Sequence, residues 1–258
     1  MREILEKLKK GRISIEEAEK LLKLTAIEEL GMMAKLDVNR DIRKGIPEIV
    51  LAEGKTPEDT AEIALKTLSK KGRVILSRVN NEHVEATRKV IPKDAVLQMH
   101  QKAKLLVIKK RNFKTEKSGG KIGILAAGTS DIPVAEEAKV IAEELGCEVT
   151  TAYDVGVAGI HRLFPSLKEM IQKDVDVIVV VAGREGALPS LVAGMVDVPI
   201  IGVPTSIGYG LGEKGVSALT AMLQACSLGL AVVNIDGGIA AGSIAVLIAN
   251  RVAKAKKP

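Results

Sequence analysis

The segment VDVIVVVAG, residues 175–183, decides the fold. Its run of branched apolar residues has no polar alternation, so a strand formed there must be covered on both faces. That is the signature of a central strand in a parallel sheet with helices packed above and below. PIIGVP (199–204) repeats the pattern, and KIGILAAG (121–128) is a third strand entering a loop. CEVTTAY (147–153) and LAVVNID (230–236) bring the number of strands to five. Between them the sequence predicts helices from Asp131-Ile-Pro133 to Leu145, stopped by Gly146, and over His161–Gln172, Val216–Ala225 and Ile239–Ala253. This alternation predicts an α/β domain over residues 120–253, an open, doubly wound, flavodoxin-like parallel sheet, closed by a basic tail at 254–258.

Ahead of it, residues 1–115 read as a smaller α+β domain with a helix-rich start. Ser14 and Glu17 form a capping box, and Thr56-Pro57 with Asp59 marks a second helix start. Gly72 ends that helix, and RVILSRV (73–79), Val96–Met99 and Leu105–Ile108 read as strands. The polar stretch RNFKTEKSGG (111–120) reads as the linker.

Composition narrows the function. With 47% hydrophobic and 27% charged residues, the chain is not a disordered one. Aromatics are 2% and tryptophan is absent, which argues against a nucleic-acid surface built on stacked rings. Two cysteines and no CxxC fit a reducing, cytoplasmic setting, and the charged MREILEKLKKGR does not read as a signal peptide. The apolar stretch Cys226–Ala249 is interrupted by Asn234, Asp236, Gly237 and Gly238, so it reads as core and not as a membrane span. Residues 1–120 carry 27 Lys+Arg against 18 Asp+Glu, whereas residues 121–258 carry 11 against 14. The basic front half suits either an anionic ligand or plain solubility.

In such a sheet, ligands sit beyond the carboxyl ends of the strands. The first strand ends in Gly128-Thr129-Ser130-Asp131, which can cradle a phosphate at a helix start or serve as an ordinary cap. The second leads to DVGVAGIHR (154–162), with His161 and Arg162 entering a helix. The third leads to AGREGALPS (182–190), where Gly183 and Gly186 let a ligand approach and flank Arg184 and Glu185, the latter able to move a proton. PTSIGYGLGEKG (204–215) reads as a mobile lid or as a simple connection. Cys226 precedes the last strand, and a free cysteine there is either a core residue or a nucleophile. His83, His100 and His161 lack metal-ligand spacing, and no metal site is legible, a carboxylate-held Mg²⁺ staying open.

GTSDIPVAEEA (128–138), IHR (160–162) and AGREGALPSLVAG (182–194) together resemble the N5-carboxyaminoimidazole ribonucleotide mutase and aminoimidazole ribonucleotide carboxylase family. One departure is clear: Ala187 stands where that family has a proton-transferring histidine. Over nearly the full length the chain is more similar to the LarB family of pyridinium-3,5-biscarboxylic acid mononucleotide synthases, which act in nickel-pincer nucleotide cofactor biosynthesis. The similarity rests on LDVNRDIRKGIPEIVLAEGKTPED (36–59), SRV (77–79), GREGALPS and the cysteine before the last strand.

The LarB resemblance implies carboxylation at C5 of the pyridinium ring of nicotinic acid adenine dinucleotide by CO₂ or bicarbonate, with phosphoanhydride hydrolysis releasing AMP. It implies Cys226 as nucleophile, Glu185 as base, and Asp131 and His161 in proton transfer or orientation. Gly128, Thr129, Ser130, Arg162, Gly183, Arg184, Gly186, Arg40, Arg43 and Lys55 would bind substrate. No organic cofactor is implied, Mg²⁺ would assist hydrolysis, and a homo-octamer or other homo-oligomer is expected by analogy. Nucleic acid and membrane are not expected as partners. The alternatives are a purine-pathway carboxylase or mutase, and a non-enzymatic nucleotide sensor needing no reactive thiol.

Overall fold

The computed structural model describes residues 2–28 and 44–256. It divides into two compact units, Met1–Val50 and Leu51–Pro258. In the first, α1 (Arg2–Lys9) and α2 (Ile15–Glu28) are two short helices in contact with each other. The Ser14 hydroxyl accepts the Glu17 N–H at 3.2 Å and starts α2.

A four-stranded sheet is ordered β1-β2-β4-β3, from β1 (Ile49–Leu51), β2 (Arg73–Ser77), β3 (Ala95–His100) and β4 (Leu105–Lys110). Both β2 and β3 run antiparallel to β4. Helix α3 (Pro57–Lys71) begins as expected: the Thr56 hydroxyl accepts the Asp59 N–H at 3.1 Å, and proline takes the first turn. Gly72 ends it at φ 74°. Helix α4 (Asn81–Val90) was not expected, because its start signal uses an unusual partner. Asn80 caps the His83 N–H at 2.9 Å, and the His83 Nδ1 accepts the Asn80 N–H at 3.2 Å, where a Glu or Gln would normally stand.

The second sheet is wholly parallel and ordered β6-β5-β7-β8-β9. Its strands are β5 (Lys121–Ala126), β6 (Glu148–Tyr153), β7 (Val177–Ala182), β8 (Ile200–Pro204) and β9 (Leu230–Val232). All six residues of β7 are buried, as the apolar run required. Val177, Val179 and Val181 face α5 (Ile132–Glu144) and α9 (Gly238–Ala255), while Ile178 and Val180 face α6 (Leu163–Gln172), α7 (Ala187–Ala193) and α8 (Val216–Leu223). On the first face the helices meet through small residues. A Cβ on Gly242 would lie 2.7 Å from the Ala138 carbonyl oxygen, so α5 and α9 can approach this closely only with glycine there. Among the described residues α9 is the one helix long and apolar enough to cross a membrane, and its Ala/Gly face is buried against α5 and the sheet.

Three expectations need correction. Helix α7 replaces what read as a continuous loop through Ser190, because Leu188 and Val192 can bury against β7 and β8 and Pro189 falls in a first turn that needs no N–H from it. His161 and Arg162 belong to a 3₁₀ turn, Val157–Arg162, kinked at Gly159, and α6 starts only at Leu163. The last strand stops at Val232, since the chain turns at Asp236 (φ 56°), whose N–H reaches the Pro204 carbonyl. The polar stretch 111–120 connects the two sheets within the second compact unit.

Candidate active site

The chain passes from β5 outward to β6, then returns across β5 to β7 and continues to β8 and β9. The loops after β5 and β7 therefore diverge and leave a crevice at the switch point. A cleft of about 670 Å³ lies there, lined by Gly128, Ser130 and Asp131 from one loop and Gly183, Arg184 and Glu185 from the other. Gly156, Val157 and residues Ile207–Tyr209 form its remaining walls.

Asp131 organises this cleft. Its Oδ2 accepts the Gly128 N–H at 2.9 Å, its Oδ1 accepts the Thr205 hydroxyl at 2.7 Å, and the Gly183 N–H also donates to it. One carboxylate thus joins the ends of β5, β7 and β8. The side chain is buried, and that desolvation raises its pKa, while the three donors act in the opposite direction. The Gly128 N–H is consequently turned to Asp131 and not outward to an anion, whereas Thr129 and Ser130 are exposed at the rim. Gly183 must be glycine: a Cβ would stand 2.5 Å from the Thr205 hydroxyl and 2.6 Å from the Ile207 carbonyl. Thr205 escaped the sequence reading. Its signal was position, directly after the strand-ending Pro204.

Arg184 adopts φ 53°, and its guanidinium stacks 4.1 Å from the ring centroid of Tyr209, a second residue not singled out beforehand. Glu185 is exposed and lines both the cleft and a groove of about 620 Å³ that follows α7 past Ser190 and Met195 to Ser227. Gly186 caps the start of α7. Cys226 does not line the strand-end cleft. It is exposed in the loop before β9, next to Ser227, which lines that groove with its hydroxyl 3.3 Å from that of Ser190. Leu223 and Leu228 around it are 65% and 91% exposed, an apolar patch beside the thiol. Cys147, by contrast, is buried against Ser118 and Asn250, and its burial raises its pKa. His161 is exposed, and Arg162 pairs with Asp154.

Lys55 stands apart from these residues, in a second cleft, with its ammonium donating to the Leu51 carbonyl at 2.7 Å. Arg40 and Arg43 lie outside the described residues. Among the described residues no group of three or more His, Cys, Asp or Glu side chains is gathered to hold a metal ion.

Glu137 on α5 has its carboxyl raised from 4.5 to about 7. Burial is the main cause, with Asp236 adding to it, and Arg78 and the Ile239 N–H opposing it. The native state therefore holds this proton where the unfolded chain has lost it, so stability falls as pH rises from about 4.5 to about 7. Glu137→Gln keeps an acceptor for the Ile239 N–H but cannot ionise. Thermal melts across that window should show wild type losing on the order of 2 kcal/mol relative to the variant. Parallel curves would show that Glu137 does not titrate there.

Residues 121–257, more than half of the chain, match the family model described as AIR carboxylase. The chain belongs to the AIR carboxylase family. Its residues 27–111 match a second model, the LarB/PurE-like N-terminal domain, so this member of the AIR carboxylase family has the LarB-like architecture that the loop and front-domain motifs suggested. An uncharacterized protein of Methanocaldococcus jannaschii is 49% identical over 251 residues, covering 96% of both chains. The N5-carboxyaminoimidazole ribonucleotide mutase of the same organism is 35% identical over 130 residues, 49% of this chain and 77% of that enzyme. That of Thermotoga maritima is 27% identical over 130 residues, 49% of this chain and 66% of the enzyme. Membership in this family makes the chain an enzyme of the carboxylase/mutase type.

Proposed function

We propose that the protein carboxylates C5 of the pyridinium ring of nicotinic acid adenine dinucleotide and hydrolyses its phosphoanhydride, yielding pyridinium-3,5-biscarboxylate mononucleotide and AMP. The observation that carries this reading is the pairing of a LarB-like front domain with an AIR carboxylase domain whose loop has Glu185 and Ala187. The mutases resembled here use a histidine at the position of Ala187, so a different proton carrier has to act.

The chemistry dictates the residue types. A pyridinium ring is electron-poor and does not attack CO₂. Addition of a thiolate at C4 forms the C–S bond and leaves a neutral dihydropyridine with an enamine-like C5. C5 then attacks CO₂, a base removes the C5 proton, and the ring expels the thiolate as it regains aromaticity. Cys226 is the thiol with the exposure this needs, and Glu185, at the mouth of the cleft, is the base. Asp131 holds the strand-end loops in register, Arg184 with the exposed Thr129 and Ser130 meets the anionic substrate, and His161 and Arg162 stand at the outer rim. Because Cys226 does not line the cleft that Glu185 borders, the reading includes a homo-oligomer, an octamer by analogy, in which Cys226 of one copy serves the cleft of another. The apolar patch of Leu223 and Leu228 supports burial of that surface between copies. No organic cofactor is needed, and Mg²⁺ enters as a counter-ion of the substrate diphosphate.

Incubation with nicotinic acid adenine dinucleotide, ¹³C-bicarbonate and Mg²⁺ should give AMP and a labelled dicarboxylated mononucleotide by mass spectrometry. If folded protein gives no labelled product, this reading is wrong, and aminoimidazole ribonucleotide is the substrate to test next.

A further inference from the structure

The ring chemistry proposed above leaves one carboxyl unused. Glu137 of α5 lines the second cleft, of about 1310 Å³, which adjoins the first because Ser130 and Ile207 line both. Asp236, just ahead of α9, lines it too, and its basic residues are Arg78, Lys102 and Lys104. Glu137 is held in place by the start of α9. A Cβ on Gly238 would lie 2.8 Å from its Oε2, and the Ile239 N–H donates to its carboxylate. Among the described residues no Lys or Arg lies within ion-pair distance of it. Asp236 is committed otherwise, its Oδ1 accepting the Ser206 N–H at 2.9 Å. Two charged groups act on Glu137 from neighbouring segments: Asp236 strengthens its hold on a proton, and Arg78, from the loop after β2, weakens it.

We infer that Glu137 is the general base that activates water for phosphoanhydride hydrolysis, a reaction run apart from the chemistry of Cys226 and Glu185. The inference rests on the function proposed above, which leaves this hydrolysis without a residue. The oxygen of water bonds to one phosphorus of the diphosphate, and the bond from that phosphorus to the bridging oxygen breaks. The bridging oxygen departs with its electron pair on the other phosphate, and the proton of the water passes to Glu137. Arg78, Lys102 and Lys104 offset the charge on the phosphates. An ordinary carboxylate is a weak base toward water. One whose burial and acidic neighbour bring its titration to about 7 is both ionised and basic at neutral pH. The required substrate class is a diphosphate diester, since a lone monophosphate offers no anhydride bond for this base to act on.

The test follows both products from nicotinic acid adenine dinucleotide, ¹³C-bicarbonate and Mg²⁺, comparing wild type with Glu137→Gln. AMP release should fall about 10²-fold or more in the variant. Label should still enter the ring, so that an uncleaved, carboxylated dinucleotide accumulates. In wild type, AMP release should rise with pH and level off above about 7, and that rise should be absent from the variant. Asp236→Asn gives a second test, because asparagine tolerates the φ of 56° and keeps an acceptor for the Ser206 N–H. It removes the charge that strengthens the hold of Glu137 on its proton, so the rise should move to lower pH. Normal AMP release by Glu137→Gln, an equal loss of label and AMP in that variant, or an unmoved profile in Asp236→Asn would each overturn the inference. Should Glu137→Gln not fold, the Asp236→Asn profile decides. If wild type releases AMP without taking up label, and Glu137→Gln abolishes that release, the hydrolytic base stands and the proposed carboxylation fails. If label enters the ring but Glu137→Gln cleaves normally, the carboxylation stands and this inference fails.

Discussion

Cys226→Ala protein should form no labelled dicarboxylated mononucleotide, a loss of at least about 10³-fold, since nothing else in the proposed site can make dihydropyridine chemistry available. The buried Cys147 cannot substitute, because its thiol is enclosed by Ser118 and Asn250 and held in the protonated form by desolvation. The same variant also tests the geometry. Cys226 is exposed and does not line the cleft that Glu185 borders in one chain. If Cys226 serves a neighbouring copy, subunits carrying Cys226→Ala and subunits carrying Glu185→Ala should be inactive alone. Mixed under conditions of subunit exchange, they should regain activity, because some clefts then combine an intact Glu185 with an intact Cys226. Full activity in Cys226→Ala would remove the cysteine from the mechanism. No recovery in a verified mixture would place both groups in the same chain's groove.

Glu144→Ala should lower stability by about 3 kcal/mol, or roughly 6–12 °C in Tm for a chain of this size. Glu144 closes α5 and accepts from Lys109 of β4 at 2.6 Å and faces Arg73 of β2 at 3.5 Å. The Glu144 side chain is 8% exposed and that of Arg73 12%, so removing the carboxylate leaves two cations in a poorly solvated place. Arg73 keeps its stacking on Phe113, 5.0 Å from the ring centroid, and its bond to the Glu144 carbonyl. The loss should therefore fall at the low end for a broken buried pair. Because these pairs connect the small sheet to α5, the variant should also expose the linker to proteolysis earlier than wild type. A change below about 1 kcal/mol would show that the cluster is neutral to stability.

What the sequence by itself determined was the rear sheet. A run such as VDVIVVVAG has one low-energy solution, a strand covered on both faces, and four further strands separated by helical segments leave few topologies. The glycine-rich strand ends were legible too, because a strand terminus, a glycine and a polar pair lie together in the chain. The local start of α3 could be read for the same reason, Thr56, Pro57 and Asp59 being neighbours. Helix α7 was missed because Leu188 and Val192 look like loop residues until β7 and β8 supply the surface that buries them. Helix α4 was missed because His83 takes the capping role usually filled by Glu or Gln. Only the tertiary structure showed that Asp131 gathers three strand ends, since Gly128, Gly183 and Thr205 meet through strand order and not through spacing. It alone placed Lys55 in a different cleft from Glu185, and Cys226 beyond both. Hydrogen bonds and burial between distant segments depend on how strands are ordered and helices cross, and that information is distributed over the whole chain.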